Sequence, residues 1–221
     1  MTTKVLNLYA GIGGNRKRWE DVDVTAVEWD EDKAEVYRDH FPDDDVIVTD
    51  AHEYLLEHLN DGWDFIWSSP PCPSHSHLSP INQAQHGPRY PDMNLYEEII
   101  TLDHHSDKME YDYVVENVQS YYEPLIDPYK RARHYFWSNF YIPSISMDPV
   151  GVYGGGFEDK NSEFEYKRHE KMMGYELSGY DISKTKKGKM LRNCVHPKLG
   201  EHVFNAATKD RQTTTDAWVD A

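Results

Sequence analysis

Residues 5–14 read Val5-Leu6-Asn7-Leu8-Tyr9-Ala10-Gly11-Ile12-Gly13-Gly14. A run too short for a surface helix stops at a cluster of glycines, the pattern of a strand over Val5–Tyr9 that ends in a tight turn. In open α/β sheets such a turn lets bare backbone and a helix N-terminus approach a cofactor. The Gly11-x-Gly13-Gly14 spacing departs from the dinucleotide pattern G-x-G-x-x-G, and a tight turn wants glycine in any case. The turn alone therefore sets the fold class without naming the ligand.

Outward from this turn the same alternation repeats. Further strands are expected at Val24–Trp29, Val46–Thr49, Phe65–Ser68, Tyr113–Val118 and His134–Phe140. Between them lie helical stretches: a short one to Trp19, then Asp32–His40, one ending at Leu59, and Asn94–Asp107. Alternating strands and helices predict an α/β fold, a mostly parallel sheet flanked by helices. Pro73–Met93 reads as a long loop of the kind that serves function. Beyond Ile142 the pattern dissolves into Pro and Gly, then helices are expected at Phe164–Met173 and from Pro197 to about Ala207, with a frayed tail after Lys209. No internal repeat or linker is present, so one domain is expected.

The 221 residues, 38% hydrophobic and 13% aromatic, suffice for a packed core without disulfides. The mean hydropathy of -0.80 implies a very polar surface. No apolar run approaches the roughly 20 residues of a membrane span, and a cytoplasmic protein is expected (host cytoplasm if viral), acting as a monomer. The net charge of -16 is unusual for a nucleic-acid binder, whose affinity rests on phosphate neutralisation. Either the partner is not a nucleic acid, or basic residues are gathered locally, at Arg16-Lys17-Arg18, Lys130 to Arg133, and Lys184 to Arg192 with Lys186 and Lys187 as substrate contacts. Acidity elsewhere fits a halophilic setting or a merely solvated face.

Three polar or aromatic groups stand at strand ends. Glu28 is placed to accept from ribose hydroxyls, Trp29 offers a flat face to adenine, and Asp50 can accept from an exocyclic amine, although Asp50 also suits a helix cap. Phe65-Ile66-Trp67-Ser68-Ser69-Pro70-Pro71-Cys72 puts a cysteine after a stiff double-proline turn at a strand end. The two cysteines, Cys72 and Cys194, suggest no disulfide framework, and Cys194 reads as a small packing residue.

At this point the sequence resembles the cytosine carbon-5 DNA methyltransferase family, in motif order along nearly the whole chain. Leu8-Tyr9-Ala10-Gly11-Ile12-Gly13-Gly14 looks like its cofactor motif, Pro70-Pro71-Cys72 its nucleophile loop with Ser76 at a recurrent serine, and Glu116-Asn117-Val118 its Glu-Asn-Val motif. Arg131-Ala132-Arg133 is similar to its arginine pair, Met172-Met173-Gly174-Tyr175 to its Met-Gly-Phe segment, and Asn193-Cys194-Val195-His196-Pro197 to its C-terminal Asn-Ser-Val-x-Pro. The resemblance implies a Rossmann-like fold, S-adenosylmethionine as cofactor, and DNA (or RNA) as partner. Cofactor contacts would fall on Tyr9, Ala10, Gly11, Gly13, Gly14, Glu28, Trp29, Asp50, Ala51, Pro70, Asn193 and Val195.

It also implies the chemistry. Cytosine carbon-5 is too electron-poor to attack a sulfonium methyl until a thiolate, here Cys72, adds at carbon-6. Glu116 would neutralise the ring nitrogen as an acid, Arg131 would hold the base carbonyl, and Arg133 would favour the thiolate. Ser76 and Asn117 would contact the substrate, a base flipped from its duplex. Residues 1–137 would form the catalytic core, 138–165 a minimal target-recognition insert, and 166–221 a segment returning to the core.

The chain departs from the pattern at Pro73 (usually glutamine), Tyr129 (usually glutamine) and Asn7 (often aspartate). The insert is short, so sequence readout of about two to four base pairs is expected, since each base contact needs its own side chain. Alternatives stay open: an amino-group methyltransferase, which shares Ser69-Pro70-Pro71 but needs an aromatic at position 72, an RNA substrate, and a non-catalytic acidic DNA mimic. A metal site at Cys72-x-x-His75-x-His77 lacks an evident fourth ligand, and none is expected. Restriction-modification and protection of a viral or mobile genome are compatible settings.

Overall fold

The computed structural model describes residues 2–71, 75, 91–147 and 163–219. Seven strands form one sheet: β1 Thr3–Leu8, β2 Val22–Val27, β3 Asp45–Ile47, β4 Phe65–Ser68, β5 Asp112–Val118, β6 Tyr129–Arg131 and β7 His134–Ser138. Their order is β3-β2-β1-β4-β5-β7-β6. The first five run parallel, and β7 pairs antiparallel with both β5 and β6. The helices are α1 Glu31–His40, α2 Ala51–His58, α3 Asn94–Met109, α4 Glu163–Met173, α5 Lys184–Asn193 and α6 Pro197–Val219.

Strand order reverses between β1 and β4, so the turns leaving these two strands diverge and open a crevice at their carboxyl ends. The period-2 alternation of a strand explains the two cores. Val5, Val24, Phe65, Trp67 and Val114 point to one face, where Trp19, Leu199, Val203 and Phe204 cover them. Leu6, Leu8, Ile66 and Val115 point to the other, against Leu55, Leu95, Ile99 and Leu102 of α2 and α3.

A third cluster ties the C-terminal helices to the glycine turn. Ile12 and Val36 pack with Met173, Tyr175, Leu177, Met190, Leu191 and Cys194. Tyr175 Oη donates to the Ile12 carbonyl at 2.5 Å, and Trp19 Nε1 to the Gly200 carbonyl at 3.2 Å. Gly14 makes the closest approach: a Cβ there would sit 2.1 Å from Cys194 Sγ and 2.4 Å from the Val195 carbonyl oxygen.

Several expected elements differ. The helix before Trp19 is a single 3-10 turn, Arg16–Arg18. The three-residue β6 is too short to carry periodicity; it exists because Ala132, at φ 50°, turns the chain back to pair with β7. That strand stops at Ser138, before Phe140. Helix α5 was hidden by its lysines: Met190 and Leu191 are its buried residues, and Ser183 caps it by accepting from Lys186 N. Helix α6 continues to Val219, past the tail expected to fray. Most of the Pro73–Met93 loop, and residues 148–162 of the expected recognition insert, lie outside the described residues.

Gly14→Ala should therefore be destabilising. Overpacking against backbone costs about 1–3 kcal/mol. Thermal unfolding should show a Tm several degrees lower, and an unchanged Tm would deny the close approach.

Candidate active site

Three carboxylates are buried beneath the crevice, and each is satisfied by donors from the turns it anchors. Glu28, 2% exposed, follows β2. Its Oε2 accepts from Gly11 N at 2.9 Å, while Oε1 accepts from Asp30 N at 3.0 Å and Lys33 Nζ at 3.1 Å. The glycine turn is thereby held to the neighbouring strand. Gly11 has φ 59°, and a Cβ there would meet nothing within 4 Å, so the turn is open on the crevice side. Gly13 and Gly14 instead have packing reasons: a Cβ on Gly13 would lie 2.3 Å from the Phe41 ring. Trp29, beside Glu28, is 73% exposed and presents its ring to solvent.

Glu98, 1% exposed, lies on α3, where the sequence pattern does not set it apart from its acidic neighbours. It receives Tyr9 Oη and Ser68 Oγ, both at 2.5 Å, and His52 Nδ1 at 3.0 Å. These donors come from the ends of β1 and β4 and from α2. Burial, reinforced by Glu98, holds the Tyr9 hydroxyl far above the usual phenol range. The hydrogen bond to Glu98 raises His52 above 6.5, assisted by the charges of Glu98, Glu97 and Asp50 against desolvation.

Above this network is a cavity of ≈ 290 Å³ lined by Tyr9, Asp50, His52, Pro70, His75 and Leu95, among others. That volume is at the small end of ligand sites. Asp50 caps α2: its Oδ1 accepts from His52 N and Glu53 N at 2.9 and 3.0 Å. The capping role weighed for it is thus occupied, although it also lines the cavity. Ala51 is buried in the first turn of α2.

Glu116, 6% exposed, lies on β5. Oε2 accepts from Ser69 Oγ at 2.9 Å and Oε1 contacts His134 Nδ1 at 2.5 Å. Asn117 Nδ2 donates to the Pro70 carbonyl at 3.0 Å. Two consecutive residues of β5 therefore grip the turn that leads to position 72. Cys72 itself lies outside the described residues, as do Ser76 and His77.

Other candidate residues have partners within the protein. Arg131 directs its Nε to the carbonyls of Ile142 and Pro143, at 3.0 and 2.8 Å, and so braces the segment that follows β7. Arg133 is nearer: its Nε donates to His134 Nε2 at 3.4 Å and its Nη2 to the Arg192 carbonyl at 3.1 Å. Asn117 donates to the Pro70 carbonyl and accepts from Val118 N, and so braces the turn that leads to position 72. Lys186 Nζ is held by Asp30 and Asp32 at 2.7 and 2.6 Å, and Lys187 Nζ by the Tyr180 carbonyl at 2.8 Å. Arg16 pairs with Asp44 at 2.9 Å, and Lys17 reaches the Gly174 carbonyl. These basic clusters are largely internal ties. Asn193 is exposed at the end of α5, and Val195 is buried beside the glycine turn. Burial pushes the Cys194 thiol up to about 12, so it stays protonated and inert. Among the described residues no group of three or more His, Cys, Asp or Glu could hold a metal, and no helix is long and apolar enough to cross a membrane.

A reversed-order parallel sheet with an open glycine turn, an acidic strand end and a cavity at its carboxyl edge is a Rossmann-like architecture built to hold a cofactor there. The family model of the C-5 cytosine-specific DNA methylase matches residues 3–124, and the chain belongs to that family. Its cofactor is S-adenosylmethionine, and its class of reaction is cytosine carbon-5 methylation. The fold is similar to the Entamoeba histolytica methyltransferase EhMeth, at 11% identity and a TM-score of 0.55 over 95% of this chain and 99% of that one. It is equally similar to the S. pombe Dnmt2 methyltransferase, at 13% identity and a TM-score of 0.54 over 94% and 99%. A Spodoptera frugiperda DNMT2 mutant matches at 25% identity with a TM-score of 0.37, over 53% of this chain and only 36% of that one. No curated protein matches the sequence.

The residues present fit the cofactor: Gly11 leaves backbone exposed, Trp29 offers an aromatic face, and Asp50 and Pro70 wall the cavity. The His52–Glu98 pair beneath that wall carries a pH signature. A histidine raised on folding stabilises fully below its unfolded value, near 6.5, and loses that contribution as pH rises through the higher folded value. His52→Gln, which keeps a donor without the charge, should show its largest Tm deficit below pH 6.5 and a deficit that closes at alkaline pH. A deficit independent of pH would refute the ion pair.

Proposed function

We propose that this chain methylates carbon-5 of cytosine in DNA, with the base flipped out and Cys72 as covalent nucleophile. The observation that carries the reading is the double grip of β5 on the Ser69-Pro70-Pro71 turn, Glu116 on Ser69 Oγ and Asn117 on the Pro70 carbonyl. It supports placing the residue after Pro71 beside the carboxyl group that would read the base.

The Cys72 thiolate adds to carbon-6 of the ring, and the carbon-5/carbon-6 electron pair shifts to carbon-5 as Glu116 gives a proton to the ring nitrogen. Bound S-adenosylmethionine would supply the electrophilic methyl group for carbon-5, with a neutral thioether as the leaving group. A general base then takes the carbon-5 proton, the double bond re-forms, the carbon-6–sulfur bond breaks to free the Cys72 thiolate, and the ring proton returns to Glu116. Arg133, linked through His134 to Glu116, is the arginine placed to add positive charge to this end of the site. A base inside a duplex is out of reach of these groups, hence the flipped geometry.

The test is DNA carrying 5-fluorocytosine, whose carbon-5 substituent cannot leave as a proton. Wild-type protein with S-adenosylmethionine should form a denaturation-resistant adduct, Cys72→Ala none, and Cys194→Ser an undiminished amount. Glu116→Gln should slow methyl transfer to ordinary cytosine by about 10²–10⁴-fold, the range of general acid catalysis. An adduct in Cys72→Ala would overturn the nucleophile, and an adduct on RNA alone would overturn DNA as substrate.

A further inference from the structure

The neighbours of Glu116 include a group that the reaction as described does not use. His134 stands on β7, opposite Val118 of β5, while Phe136 stands opposite Glu116. In an antiparallel pair, residues two apart share a face, so His134 and Glu116 are diagonal neighbours on one side of the sheet. Their side chains meet at 2.5 Å, each only 8% exposed. On the far side of the ring, Arg133 Nε donates to His134 Nε2. A guanidinium never accepts, so Nε2 is the acceptor nitrogen and Nδ1 carries the ring proton. The direction of the chain is therefore fixed: Arg133 donates to His134, and His134 Nδ1 donates to Glu116 Oε1. Ser69 Oγ donates to the other oxygen. Trp67 Nε1 in turn donates to Ser69 Oγ at 2.8 Å, which fixes that hydroxyl as well.

We propose that His134 is a positioning residue for Glu116: it orients the carboxyl plane and stabilises the carboxylate left when Glu116 gives its proton to the base. The proposal rests on Glu116 being the acid of the reaction. A donor already aimed at Oε1 needs no reorganisation as negative charge appears there, which is how preorganised hydrogen bonds lower a barrier. The effect falls on the chemical step and not on the binding of cofactor or nucleic acid. Sequence inspection could not have singled out His134, one of 12 histidines in the chain; only the β5–β7 register brings it to Glu116.

The experiment compares His134→Leu, which removes the donor, with His134→Asn, whose amide can take the place of Nδ1–H. Each is made alone and in the Glu116→Gln background, and methyl transfer is followed on mixed-sequence DNA and RNA, with cofactor affinity measured by calorimetry. The expected result is a kcat lower by about 10-fold or more in His134→Leu, with KM values and cofactor affinity unchanged. His134→Asn should recover most of the rate. In the Glu116→Gln background His134→Leu should add little further loss, because the two groups act as a unit. A purely packing role predicts the reverse order, since leucine suits a buried site better than asparagine. Equal losses in the Leu and Asn variants, a Leu variant as fast as wild type, or losses that multiply in the Gln background would each overturn the proposal. A fully active Glu116→Gln, or a wild-type protein inactive on both polymers, would overturn the acid reading itself and this inference with it.

Discussion

A carboxylate taken out of water must be met by hydrogen bonds, because an uncompensated buried charge costs several kcal/mol (about 3–5 when one partner is removed). Three such groups lie under the carboxyl edge of this sheet, and the local architecture follows from satisfying them. Glu28 draws in Gly11 N, Asp30 N and Lys33, which fixes the glycine turn against β2. Glu98 draws in Tyr9, Ser68 and His52, which fastens α3 to the ends of β1 and β4 and to α2. Glu116 draws in Ser69 and His134, which fixes the double-proline turn between β5 and β7. Each carboxylate joins elements distant in sequence, and together they hold the three walls of the crevice in register.

The same economy explains the charge distribution. With a net charge of -16, basic side chains are scarce and the acidic ones abundant. Arg16 and Lys33 are engaged by Asp44 and Glu28, while Lys17 and Lys186 tie the N-terminal elements to the C-terminal segment through the Gly174 carbonyl and the Asp30 and Asp32 pair. Lys186 in particular binds α5 to the start of α1, so the C-terminal helices are fastened electrostatically as well as through the cluster around Ile12. Such clusters on the sequence read as nucleic-acid contacts because charge is visible there and partners are not.

Much of the fold was legible. The run from Val5 to Gly14 sets a strand and a turn, and its repetition in alternation with helices sets a parallel sheet, since both are local patterns of hydrophobic spacing. Glu28 and Trp29 could be singled out because strand ends concentrate function in this architecture, and Glu116 because Glu116-Asn117-Val118 resembles a family motif. What escaped depends on long-range pairing. Glu98 is one acid among several on an amphipathic helix, and only the packing of α3 reveals that it faces inward. Strand β6 exists by virtue of its partner β7, and the acceptors of Arg131 and Asn117, the carbonyls of residues 142, 143 and 70, are backbone groups that side-chain identity does not reveal.

The crevice between the turns after β1 and β4, walled by these carboxyl groups, is the proposed meeting place of methyl donor and base. A crystal structure of the protein with S-adenosylhomocysteine, the demethylated product, tests it most directly. The ligand is expected between Trp29 and the cavity lined by Tyr9, Asp50 and Pro70, with its sulfur on the side of the Pro70-Pro71 turn. A ligand bound instead in the smaller cleft between α4 and α5, or at the amino-terminal edge of the sheet, would contradict it.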